Sequence, residues 1–187
     1  MAAVRIWRLP SSAVAGVLVL LAFFFGAACQ ENGAGQDHAP AELRLKHVFD
    51  GDSFNAVSGG PTFHIRIVGI DAPERGSRKA GVPGQPYSRK AAEHLKRLLS
   101  GHPIRIAGYG MDSYRRQLAE VFVGSRNVGL DMVASGYAEV YTGRMPKGFD
   151  PRPYRDAEVH ARRDGRGMWT QGRAYLSPRA WRAAHPR

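Results

Sequence analysis

One cysteine, Cys29, in 187 residues excludes an internal disulfide and any cysteine-built zinc site, so the folded part must be held by its core alone. The seven histidines make no zinc-ligand spacing, and there is no His-Glu-x-x-His run and no Gly-rich loop followed by Lys and Ser or Thr. Zinc-hydrolase and P-loop nucleotide chemistries are therefore disfavoured. No internal repeat and no long low-complexity tract is present, which sets aside solenoids and arrays. Acids are scarce too: 16 against 27 Lys and Arg, a formal net charge of +11 and a pI near 10.4. Such a surface attracts phosphate backbones or anionic lipid heads, although a general arginine bias gives the same totals.

At this length, with 43% apolar residues, the chain can bury one core of ordinary size and carry tails. Arg5 and Arg8 precede a mostly apolar run from Ala13 to Phe25, then Gly26, Ala27, Ala28 and Cys29. That layout is a secretory signal, so residues 1–28 are expected to be a signal peptide and not fold. Small residues directly before Cys29 resemble the lipobox of bacterial lipoproteins, with Gly26 where leucine is preferred; Gly26 and Ala28 also suit an ordinary signal peptidase. The expectation is an exported protein, anchored in the cell envelope through a lipidated Cys29 or freely secreted, with an uncleaved membrane anchor as the third alternative. Residues 29–42, small and polar, read as a flexible tether.

The domain is expected over residues 43–170. Extended segments are predicted at Leu43 to Phe49, Phe63 to Ile70, Pro103 to Ala107 and Gln117 to Val123; in the second, Phe63, Ile65 and Ile67 alternate with His64, Arg66 and Val68. An antiparallel meander fits them. Helical spacing appears at Ser88 to Ser100, where Ser88 can cap the start, at Val128 to Ser135 before Gly136, and at Pro153 to Arg163 before Gly165. Short strands with about three helices packed on one side predict an α+β domain, and the five-stranded oligonucleotide-binding (OB-fold) barrel is the commonest such fold with a nucleic-acid habit. The basic tail, residues 171–187, is expected to be a disordered extension, the alternative being a segment that lies on nucleic acid or membrane.

Only four acids fall between positions 50 and 92, as two tight pairs: Asp50 with Asp52, and Asp71 with Glu74. Like charges so close repel unless one is protonated or a cation lies between them, so the pairs are candidates for a metal site. Each aspartate taken singly also suits a turn, beside Gly51 or near Pro73.

The pairs sit in ordered motifs. Val48-Phe49-Asp50-Gly51-Asp52-Ser53 resembles the DGDT motif of the staphylococcal (thermonuclease-type) nuclease family. The run from Arg66 to Glu74 is similar to that family's R-x-x-G-I-D-A-P-E, and Asp112 to Ala119 to its D-x-Y-G-R-x-L-A; Gly136, Ala138 and Arg166-Gly167-Met168-Trp169 fit as well. The resemblance spans Leu43 to Trp169.

It implies a calcium-dependent endonuclease that hydrolyses single- and double-stranded DNA and RNA by attack of water on phosphorus, leaves 3′-phosphates and acts as a monomer. The implied metal ligands are the carboxylates of Asp52 and Asp71 and the main-chain carbonyl of Ala72, with Asp50 just outside them. Hard oxygen donors suit calcium. Glu74 matches the family's general base, and Arg66 and Arg116 its two phosphate-binding arginines, whose planar forks meet two phosphoryl oxygens. Tyr114 is a candidate nucleotide contact, or simply packing. Arg78, Lys79, Arg89 and Lys90 either steer the substrate backbone or form a solvated loop. One departure stands out: Arg115 occupies the place of the glycine before Arg116, so either the turn differs there or that glycine is not needed for a strained backbone angle. Two rival readings are a binding module without turnover, as in relatives that repeat this barrel beside a Tudor domain, and a basic envelope lipoprotein.

Overall fold

A computed structural model describes residues 42–186. The signal segment, Cys29 and the tether up to residue 41 lie outside the described residues.

The sheet is built from β1 (Arg44–Val48), β2 (Ser53–Val57), β3 (Thr62–Ile67), β5 (Arg105–Met111) and β6 (Gln117–Val123), in the order β1-β2-β3-β6-β5. The short β7 (Arg126–Asn127) pairs with β6, and a separate two-stranded ladder joins β4 (Ile70–Asp71) to β8 (Glu139–Val140). Leu43 and Ile104 exchange both backbone hydrogen bonds, at 3.3 and 2.8 Å, and so link the two ends of the five-strand path. The domain is OB-like and α+β, but the barrel is not a continuously closed ladder.

Two sequence expectations change. β2 was not among the predicted strands, because Ser53–Val57 is short and follows directly on Gly51 and Asp52, which read as turn. The meander also fails at one seam. β3 and β6 run parallel, with Ile65 opposite Gln117, Arg66 opposite Leu118 and Ile67 opposite Ala119. A parallel pair needs a long crossover, and here α1 and β5 supply it.

Alternation then sorts the side chains. Phe54 and Ala56 of β2, Ile65 and Ile67 of β3, and Ala119 and Val121 of β6 are buried together. Arg66, between Ile65 and Ile67, points to the opposite face. Helix α1 (Ser88–Leu99) lays Ala91, Leu95 and Leu99, four residues apart, onto the core. Its cap is not Ser88 but Tyr87, held at φ 71° with no side-chain capping bond. Gly51 explains how α1 comes so close: a Cβ there would lie 2.7 Å from the Ala72 Cβ and 2.8 Å from the Ala91 Cβ.

Helices α2 (Val128–Ala134) and α3 (Arg152–Arg163) complete the main core, with Met132, Val133 and Tyr154 buried. Asn127 caps α2 by accepting from the Leu130 amide at 3.0 Å. The C-terminal stretch is ordered, against expectation. A 3-10 segment (Gly167–Ala174) leads into α4 (Pro178–Ala184), capped by Ser177, which accepts from the Ala180 amide at 3.1 Å. A second apolar cluster of Ala161, Met168 and Trp169, with Tyr87 and Tyr175 packed against it, is what holds this stretch down.

Candidate active site

Three chain segments bring the acids together. The turn between β1 and β2 presents Asp50 and Asp52, β4 presents Asp71, and the extended residues after it present Glu74. Asp50 organises its own turn: its Oδ1 accepts from the Asp52 amide at 3.2 Å and from the Ser53 hydroxyl at 2.7 Å. These two bonds are those of the turn reading of that aspartate.

Asp52 and Asp71 are 1% and 2% exposed, which for carboxylates demands partners. Asp52 Oδ2 accepts from the Ala72 amide at 2.7 Å, and its Oδ1 is in very close contact with Arg66 Nη1. Arg66 Nη2 donates to Asp71 Oδ1 and to the Ile70 carbonyl, both at 3.2 Å. A single guanidinium therefore ties both aspartates. Burial pushes the Asp52 carboxyl well above the usual carboxylate range; Arg66 pulls it back, while Asp50 and Asp71 add to the rise. For Arg66, burial opposes the charge, but Asp52 and Asp71 outweigh it and hold its pKa above the ordinary value.

Glu74 is fixed through its backbone. Its amide donates to Gln85 Oε1 at 2.9 Å, and its carbonyl accepts from the Gln85 amide at 2.9 Å. Gln85 is only 4% exposed, although nothing in the sequence marked it among the Gly and Pro residues of its loop.

The larger surprise is Arg182 of α4. Its Nη1 and Nη2 clasp Asp71 Oδ1 and Oδ2 at 3.0 and 2.8 Å, and Nη1 also meets Glu74 Oε1 at 2.6 Å. The hydrogen bonds that it donates to Asp71 raise its pKa, against some burial, with Glu74 adding to the effect. Among the described residues no three His, Cys, Asp or Glu side chains converge as a ready metal cage; two guanidinium groups bridge the carboxylates instead. The oxygens of Asp52 and Asp71 are hard donors of the kind a calcium ion takes, and here Arg66 and Arg182 hold them in ion pairs.

Arg116 lies at the mouth of β6, in the hairpin from β5. Its amide donates to Asp112 Oδ1 at 2.9 Å, its Nε donates to Asp112 Oδ2 at 2.7 Å, and its Nη2 pairs with the same oxygen at 2.7 Å. Despite desolvation, these bonds hold the Asp112 carboxyl below its usual range. Arg116 is thus tied to the hairpin, while Arg66 and Arg182 bind the carboxylates. The guanidinium edge bearing Nη1 faces away from Asp112. Tyr114 is 79% exposed, with the Arg116 guanidinium 5.4 Å from its ring centre. Arg115 adopts φ 61°, the left-handed conformation a glycine takes freely. A side chain is therefore carried at a strained backbone angle.

Glu139 was not singled out in the sequence. It is 5% exposed, lies opposite Asp71 in the β4–β8 ladder and is in very close contact with the Tyr175 hydroxyl. Burial pushes its pKa up to about 7, against the Tyr175 hydrogen bond.

Comparison with known proteins agrees with this geometry. A family model described as "Staphylococcal nuclease homologue" matches residues 64–171. Among curated proteins, the chain is similar to a "Probable endonuclease LCL3" of Clavispora lusitaniae, 34% identical over 123 residues covering 63% of this chain and 52% of the relative. Similar too are the proteins of that name from Paracoccidioides lutzii (38% identical, 65% of this chain and 38% of the relative) and Candida tropicalis (33%, 67% and 55%). The chain spans about half or less of the length of these relatives. The family match covers more than half of the chain, including Arg66, Asp71, Glu74 and Arg116, and the chain belongs to the family of staphylococcal nuclease homologues.

Proposed function

We propose that this chain is a calcium-dependent endonuclease that hydrolyses phosphodiester bonds in DNA and RNA. The observation that carries the reading is the gathering of Asp50, Asp52, Asp71 and Glu74 from three segments around arginine charge, two of the aspartates buried. The family's name and the probable endonucleases above support it.

Asp52, Asp71 and the Ala72 carbonyl would hold the calcium ion. When bound, it supplies Lewis-acid charge to a phosphodiester oxygen. Glu74, its backbone clamped by Gln85, takes the proton of the water that attacks phosphorus, a role worth roughly 10² to 10⁴ in rate. The bond from phosphorus to the 5′ oxygen breaks, the leaving oxygen takes a proton from solvent water, and a 3′-phosphate remains. Arg66 and Arg116 would serve the growing charge on the phosphoryl oxygens, Arg66 by exchanging its bonds to Asp52 and Asp71 and Arg116 through the edge that Asp112 leaves open.

Cleavage of single-stranded DNA and RNA is expected with calcium and not with excess chelator, and Glu74→Gln is expected to lower turnover about 100-fold or more while the fold persists. Undiminished cleavage in chelator would sink the reading. Export with lipid on Cys29 belongs to the same proposal, supported by the signal-like residues 1–28. The intact mass of the native N-terminus, with Cys29→Ser as control, tests it.

A further inference from the structure

Arg182 lies outside every motif, yet it makes three hydrogen bonds to the two carboxylates closest to the chemistry. Its approach is built and not accidental. The Tyr175 ring packs on Trp169 with centroids 4.5 Å apart, and the Tyr175 hydroxyl reaches Glu139. Gln85 Nε2 donates to the Leu176 carbonyl at 2.6 Å, so the side chain that fixes the Glu74 backbone also docks the start of the C-terminal segment. Ser177 then caps α4, which carries Arg182 to the acids beside a cleft of about 260 Å³ lined by Asp71, Tyr141, Thr142, Gly143, Arg179 and Arg182.

The lone pairs on Asp71 can be counted. Oδ1 accepts from both Arg66 Nη2 and Arg182 Nη1, which uses its two acceptor positions. Oδ2 accepts from Arg182 Nη2. A divalent cation ligated by Asp71 needs these same oxygens, and at contact distance it repels the guanidinium strongly. Glu74 Oε1 is likewise taken up by the hydrogen bond from Arg182 Nη1.

Building on the calcium-site reading, we propose that Arg182 is a stand-in cation: in the metal-free protein it neutralises Asp71 and Glu74, and the metal must displace it to bind. The C-terminal helix is then a reporter and brake on the site, seated when the cation is scarce and released when it binds. Trp181, stacked on His185 at 4.1 Å in the same helix, moves with it.

The test is calcium titration by calorimetry on the full chain and on Arg182→Gln and Arg182→Lys. Arg182→Gln is expected to bind calcium at least about tenfold more tightly than the parent, with Arg182→Lys between them, because one competing charge is removed or loses its fork. In chelator, Arg182→Gln should melt at a lower temperature than the parent, yet show the larger rise in melting temperature on adding calcium. Calcium should change tryptophan emission in the parent, and Trp181→Phe should abolish that change. Unchanged or weaker calcium binding by Arg182→Gln overturns the proposal and leaves the metal site standing. Absence of calcium binding by every form overturns both.

Discussion

The buried Glu139 makes the stability of this domain depend on pH in a direction opposite to that of most salt-bridged acids. Its pKa rises from the ordinary 4.5 to about 7, chiefly because burial disfavours the charge. Between those values the native protein holds a proton that the unfolded chain has released. Stability from this group is therefore full below about pH 4.5 and is lost as pH rises through about 7. The difference of about 2.5 units, at about 1.4 kcal/mol each, sets the loss at roughly 3 kcal/mol. Glu139→Gln removes the charge and keeps an acceptor for the Tyr175 hydroxyl. In urea denaturation with chelator present, the variant should exceed the parent by about 2–3 kcal/mol at pH 8.5 and match it near pH 4.5. A stability difference that is the same at both pH values would refute the reasoning, since it would mean that packing and not ionisation separates the two proteins.

Arg115→Gly should relieve a left-handed backbone that costs about 1–2 kcal/mol, partly offset by the greater freedom of glycine in the unfolded chain, for a net gain of about 0.5–1 kcal/mol in thermal melts. A loss of stability would show that the Arg115 side chain contributes more than its backbone strain costs. Gly51→Ala should destabilise by about 1–3 kcal/mol, because its Cβ would collide with Ala72 and Ala91, and should weaken calcium binding as the Asp52 turn is pushed outward. Normal stability in that variant would mean that α1 can withdraw freely.

What was legible in the sequence was local. Asp50, Asp52, Asp71 and Glu74 could be picked out because charge pairs and glycines lie within a few residues of one another, and α1, α2 and α3 because apolar residues recur at helical spacing. Arg115 in a glycine's place was visible too, and φ 61° shows that the backbone there does take an angle that favours glycine. The rest depends on contacts across long separations. Gln85 and Glu139 look like ordinary polar residues until burial gives them partners. Arg182 sits among arginines in a tail that composition assigns to disorder, and only the cluster around Trp169 shows why that tail docks. The Ser88 cap failed because a residue in the left-handed conformation, Tyr87, starts the helix without a side-chain bond.

The parallel seam between β3 and β6 has a consequence for the order of folding. Pairing Ile65 with Gln117 closes a loop of about 50 residues, whereas β1-β2-β3 and β5-β6 are hairpins that can form early. The slow event in reaching the native state should then be the meeting of two preformed hairpin units. Until that seam zips, Arg66 and Arg116 belong to separate fragments, and the phosphate site proposed for the pair cannot form.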